Sequence, residues 1–119
     1  MKEESIDMCD LKKWNEEVCL CPLEGIINVI SKKWALLIIG TIGNYHKLRY
    51  SEIMKKLQDI SPKTLADRLK ELEKENLIKR EVFAEVPPRV EYSLTEEGLK
   101  LKDAITPLMK WASSRNLKK

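Results

Sequence analysis

Between Ser61 and Leu94 the spacing of apolar residues changes period, and that change constrains the fold more than any other feature of the chain. "SPKTLADRLKELEKENL" sets Leu65, Leu69 and Leu72 at i, i+4 and i+7, one stripe of a helix. Ser61 suits its N-cap and Pro62 its first position, where a missing N–H costs nothing; Asn76 suits the C-terminal stop. After Leu77 the pattern alternates. "IKREVFAE" and "RVEYSL" read as two strands joined around Val86-Pro87-Pro88-Arg89. Adjacent prolines cannot donate ladder hydrogen bonds, so they belong to the turn.

Upstream, Ile26, Ile27, Ile30, Trp34, Leu37, Ile38 and Thr41 recur at helical spacing and predict a helix from about Leu23 to Ile42. It is apolar on more than one side, hence largely buried, and Gly43-Asn44 closes it. A polar link, "NYHKLR", leads to Ser51, read as the N-cap of a second helix carrying Ile53, Met54 and Leu57. Beyond the hairpin, Thr95 with Glu96 and Glu97 caps a last helix striped by Leu101, Ile105, Leu108 and Ala112, with Leu99 and Trp111 beside it. Pro107 lies inside and is expected to kink it. The order is helix, helix, helix, hairpin, helix. That is a helix-turn-helix followed by a two-stranded wing, a mainly α fold with a small β-hairpin. Residues 21–112 form this winged domain, between an N-terminal leader (1–20) and a tail (113–119).

The chain's 119 residues suffice for one core. Hydrophobic residues at 43% and charged ones at 34% describe a globular chain rather than a disordered one. The longest apolar run, Trp34 to Ile39, falls far short of a bilayer span, and the acidic start lacks the marks of a secretory signal. No membrane role and a cytoplasmic location are expected. In that compartment thiols stay reduced, so three cysteines do not make a disulfide framework. The net charge of +3 divides into −3 over residues 1–18 and +6 over the rest, a balance that suits a polyanionic partner.

A helix-turn-helix with a wing suits double-stranded DNA. The start of the third helix offers unpaired N–H groups and partial positive charge to a phosphate, with Ser61, Lys63 and Thr64 beside them. Its exposed face, carrying Lys63, Asp67, Lys70 and Lys74, fits the major groove. Arg89 at the tip of the hairpin can reach the adjacent minor groove or backbone, and Arg49 a phosphate, though a solvated link residue reads equally well there. Arg68 has two readings, a phosphate contact or a pair with Glu71. Lys70 and Lys74 read as an ordinary solvated face. Residues 61–93 hold as many acids as bases, so binding must depend on placement, with Lys63 and Arg89 toward DNA and glutamates turned away or paired.

These strings resemble the HxlR-type regulators, a branch of the MarR-like winged-helix transcription factors, from Cys21 to about Trp111. "CPLEGIINVISKKWALLII" is similar to the family's opening, "LRYSEIMKKLQDISPKTLADRLKELEKENLIKR" to its helix-turn-helix, and "VPPRVEYSLTEEGLKL" to its wing and last-helix entry. The resemblance implies a homodimer on a two-fold-related, pseudo-palindromic operator. It also implies helical dimerisation segments at both ends: Trp14 and Val18 in the leader, and Leu101, Ile105, Leu108 and Trp111 in the last helix. The alternative is a stripe packed only on its own core.

The resemblance further implies that oxidants or electrophiles can act through Cys21, the family's Cys-Pro position, and a small-molecule or oxidant effector fits that picture. A thiol near a helix start can have its pKa lowered and so oxidise more readily. A small buried apolar residue is the other reading of Cys21; Cys9 and Cys19 match no family position. Cys19-x-Cys21 has the wrong spacing for structural zinc, and His46 is the only histidine. Covalent catalysis needs a base and an orienting group beside the thiol, and none is identifiable. No metal, cofactor or enzymatic activity is therefore expected. A winged-helix module for protein–protein interaction without DNA is the alternative function, and a thiol-dependent redox enzyme a more distant one.

Overall fold

The computed structural model describes residues 20–116, in two units. In the first, Cys21–Gly25 forms a 3-10 turn with Pro22 near its start, and the Leu23 N–H donates to the Leu20 carbonyl at 3.0 Å. Helix α1 (Ile27–Ile30) follows and is closed by the Ser31 N–H donating to the Ile27 carbonyl at 3.0 Å.

The second unit begins at Lys33. Its elements are α2 (Ala35–Tyr45), β1 (Lys47–Arg49), α3 (Tyr50–Lys56), α4 (Pro62–Lys74), β2 (Ile78–Phe83), β3 (Arg89–Leu94) and α5 (Glu96–Asn116). The single helix expected over Leu23–Ile42 is interrupted. Trp34, the residue capping α2, has φ of 83°, in the left-handed region that ends an α-helical hydrogen-bond ladder. Periodicity ran through the break because Ile30, Trp34 and Leu37 keep helical spacing across it. Helix α2 then runs past Gly43-Asn44, and His46, with φ of 69°, turns the chain instead.

The "NYHKLR" link holds a strand. β1 pairs antiparallel with β3 (Lys47↔Ser93, Leu48↔Tyr92, Arg49↔Glu91), giving a three-stranded sheet in the order β1-β3-β2. Three residues with one apolar member, Leu48, are too few for alternation to register. Helix α3 consequently starts earlier than a Ser51 cap would place it. Arg49 ends β1 and caps α3, and its N–H donates to the Glu52 carboxylate at 2.8 Å.

At α4 the expected chemistry is realised. Ser61 Oγ accepts the Thr64 N–H at 3.1 Å and Pro62 opens the helix. At the other end Asn76 takes φ of 62°, the Asn76 N–H donates to the Glu73 carbonyl and the Leu77 N–H to the Leu72 carbonyl, both at 2.9 Å. That double bond pattern with a left-handed asparagine is a Schellman stop. Leu65, Leu69 and Leu72 are buried, with Ile38, Ile39, Ile42, Ile53 and Ile78 completing the centre of the core. β2 and β3 pair from Ile78↔Leu94 to Phe83↔Arg89, leaving the prolines in the turn. Helix α5 contains Pro107, the residue expected to kink it, and continues to Asn116.

Candidate nucleic-acid interface

Helix α4 turns one side to the core and the other to solvent. With Leu65, Leu69 and Leu72 inside, the face about 180° away carries Lys63, Asp67, Lys70 and Lys74. The three lysines are exposed and Asp67 is half-buried. The head of this helix is fixed from two sides. Ser61 Oγ also donates to Thr64 Oγ1 at 2.9 Å, so those hydroxyls engage each other. The Tyr50 hydroxyl on α3 donates to the Pro62 carbonyl at 2.7 Å, tying the first helix of the pair to the second. Sequence reading did not single out Tyr50, whose partner lies beyond any local spacing rule; a tyrosine at the head of an amphipathic helix was the only signal.

The charges on this surface are largely paired. Lys63 Nζ lies 3.1 Å from Asp67 Oδ2, and their side chains are 86% and 44% exposed. The Lys63 ammonium holds the Asp67 carboxyl below the usual carboxylate range through that hydrogen bond, with its charge and those of Arg68 and Lys70 adding to the effect. Arg68 takes the second of its two readings: Nε and Nη2 donate to the two Glu71 carboxylate oxygens at 3.0 and 3.2 Å. It lies on the flank of the helix with only 18% of its side chain exposed.

Arg89 sits at the start of β3 opposite Phe83, behind the turn. Its guanidinium lies 4.2 Å from the Phe83 ring centroid, Nη1 is 3.1 Å from Glu85 Oε2, and Nε is 3.3 Å from Glu91 Oε2. The last approach has ion-pair distance without hydrogen-bond geometry, so Nε is buried without a hydrogen-bond partner. Arg89 therefore braces the wing from within the ladder rather than standing at its tip, which is formed by exposed residues that include Val86. Arg49 is exposed at the end of β1. A second pairing, Lys47 with Glu81 at 3.8 Å, crosses the sheet. Between α4 and the sheet a cleft of about 330 Å³ has Leu69 and Tyr92 in its lining and carries Lys70, Glu73 and Arg80.

On α5, Ile105 belongs to the core, whereas Leu108 and Trp111 are 50% and 57% exposed and Leu101 is half-buried. Arg115 lies over the Trp111 ring at 5.1 Å. Cys21 opens the 3-10 turn of the first unit. Trp14 and Val18, with Cys9 and Cys19, lie outside the described residues. Among the described residues no helix is long and apolar enough to cross a membrane.

A short turn between α3 and α4, an outward-facing second helix and a β2–β3 wing together define a winged helix-turn-helix protein. The HxlR-like helix-turn-helix family matches residues 29–119, and the chain belongs to that family of transcriptional regulators. It is 41% identical over 95 residues to the HTH-type transcriptional regulator YvaP of Bacillus subtilis, covering 79% of this chain and 87% of that one. The reduced form of the transcriptional regulator YodB from B. subtilis matches with a TM-score of 0.68 at 36% identity, covering 76% and 88% of the two chains. The redox regulator HypR in its oxidized form matches at 0.74 and 35%, covering 79% and 96%.

Proposed function

We propose that the protein is a homodimeric, sequence-specific regulator of transcription that binds a pseudo-palindromic operator. Helix α4 enters the major groove by its N-terminal half, with Ser61, Lys63, Thr64 and Asp67 toward the DNA. The wing lies over the flanking backbone or minor groove, its turn held in shape by Arg89. Arg49 serves a phosphate, while Lys70 and Lys74 form a solvated face and Arg68, committed to Glu71, supports the helix. The observation that carries this reading is the solvent-exposed polar face of α4 set opposite the Leu65–Leu69–Leu72 stripe.

A mobility-shift titration against DNA upstream of its own gene, at several salt concentrations, tests it. Specific binding that weakens steeply with salt is expected. Salt-insensitive or absent binding there and at neighbouring promoters favours a protein-interaction module instead.

A thiol response through Cys21 is the finer reading. HypR is named a redox regulator, YodB has been solved reduced and after diamide treatment, and Cys21 stands next to Pro22 at the start of the 3-10 turn. Operator affinity before and after diamide, with Cys21→Ser as control, decides it; identical curves remove Cys21 from the mechanism.

A further inference from the structure

We infer that Lys63 and Asp67 together read one C·G base pair, Asp67 accepting from cytosine N4 and Lys63 donating to guanine O6 or N7. The inference rests on the DNA-reading role of α4 proposed above and adds to it the base that the helix selects.

The argument begins with the acid. A carboxylate carried into the major groove is repelled by the phosphates on both sides, so it weakens binding to any sequence that gives it no donor. The donors there are the amino groups of cytosine and adenine. Asp67 sits in the second turn of α4, one turn beyond Lys63, and the N-terminal residues of a recognition helix are those that meet base edges. An aspartate is ionised at neutral pH, when it accepts hydrogen bonds and donates none.

The groups flanking each amino group select between them. In a C·G pair, cytosine N4 donates to guanine O6, which places donor and acceptor about 2.9 Å apart on the groove edge. Lys63 Nζ and Asp67 Oδ2 lie 3.1 Å apart, so acceptor can face donor and donor face acceptor across one base pair. Guanine N7 beside O6 extends the surface that the ammonium meets. An A·T pair places its amino group between two acceptors, N7 and O4, with the thymine methyl beyond them. There a carboxylate over the amino group meets lone pairs on either side.

The groups flanking Lys63 and Asp67 at the head of the helix are already engaged. Arg68 and Glu71 hold each other, and the Ser61 and Thr64 hydroxyls are bonded together. A solvent-exposed i,i+4 pair contributes little to stability, so the fold does not require Lys63 and Asp67 to be there.

Selection from a pool of random-sequence duplexes at fixed salt, with wild type, Asp67→Asn and Lys63→Ala, tests this. Thermal melting checks that each variant is folded. Wild type should enrich a motif with a C·G pair in each half-site, and replacing that pair by T·A should weaken binding about 5- to 150-fold. Asp67→Asn should shift that one position toward adenine, which asparagine meets at N6 and N7, and leave the others unchanged. Lys63→Ala should flatten the same position. A wild type that enriches no motif overturns the DNA-reading function itself. A wild-type motif kept at every position by both variants, even with uniformly tighter binding by Asp67→Asn, overturns the base-pair reading alone.

Discussion

Thr95 ties the start of α5 to the end of α4 with one side chain. Its Oγ1 accepts the Gly98 N–H at 3.0 Å, capping α5, and donates to the Asn76 carbonyl at 2.6 Å, where α4 ends. The Thr95 N–H donates to the Leu77 carbonyl at 3.1 Å. A Cβ on Gly98 would strike that same Leu77 carbonyl oxygen and lie 3.3 Å from Leu94 Cβ. Gly98→Ala is therefore expected to cost about 1–3 kcal/mol in urea unfolding, as overpacking against backbone does. An unchanged midpoint would show that α5 can lift away freely. Thr95→Ala should cost about 1 kcal/mol or more, because it removes a cap and leaves the Asn76 carbonyl without that donor. The cap was legible in the sequence from Thr95-Glu96-Glu97. The Asn76 bond was not, since its partners stand far apart in the chain and no periodicity links them. Asp67 adds a pH signature. Its folded pKa lies below the usual value of 3.8, so this exposed pair adds a small, solvent-screened stabilisation above about pH 4 that fades as pH falls through the lower folded value. Asp67→Asn should remove this slice of the acid-unfolding profile; superimposable profiles would show that the Lys63 pair does not persist in solution.

At the scale of elements, α4 and the wing separate two basic residues that the sequence grouped together. Lys63 extends into solvent from a helix whose packing does not use it, while Arg89 is folded against Phe83, Glu85 and Glu91. Lys63→Ala should then weaken operator binding roughly tenfold with the melting temperature unchanged. Arg89→Ala should lower both, because the hairpin loses its brace, and Arg89→Lys should restore neither fully, since an ammonium cannot stack and fork as a guanidinium does. Equal losses of affinity with no loss of stability in both variants would assign Arg89 to the DNA directly. The stripe of α4, its caps and the hairpin registered in the sequence because each is a local pattern of residue types. The break before α2 did not, as helical spacing continued across the left-handed Trp34. Neither did β1, whose existence depends on pairing with β3 rather than on its own three residues.

For the whole molecule, the question is what covers the outer side of α5. A stripe of apolar residues cannot tell from sequence alone whether it faces its own core or a second chain, because both environments select the same side chains. The structure sorts them. Ile105 is buried in its own unit, whereas Leu108 and Trp111 are half or more exposed one turn apart along the helix. Large side chains left open in this way fit a partner subunit better than water. In the proposed dimer these residues set the distance between the two α4 helices, so they also set the operator: half-sites about 10 base pairs apart, one helical turn, or a multiple of that. A Leu108→Glu, Trp111→Glu double variant, with Ile105 untouched, should remain folded yet sediment as a monomer. Its binding to a full operator should fall by a factor of about 100 or more, to the level of a single half-site, since the second contact is no longer tethered to the first. A double variant that sediments as a dimer would move the interface away from this end of α5. One that becomes monomeric yet binds the full operator as before would show that each domain reads DNA without help from its partner.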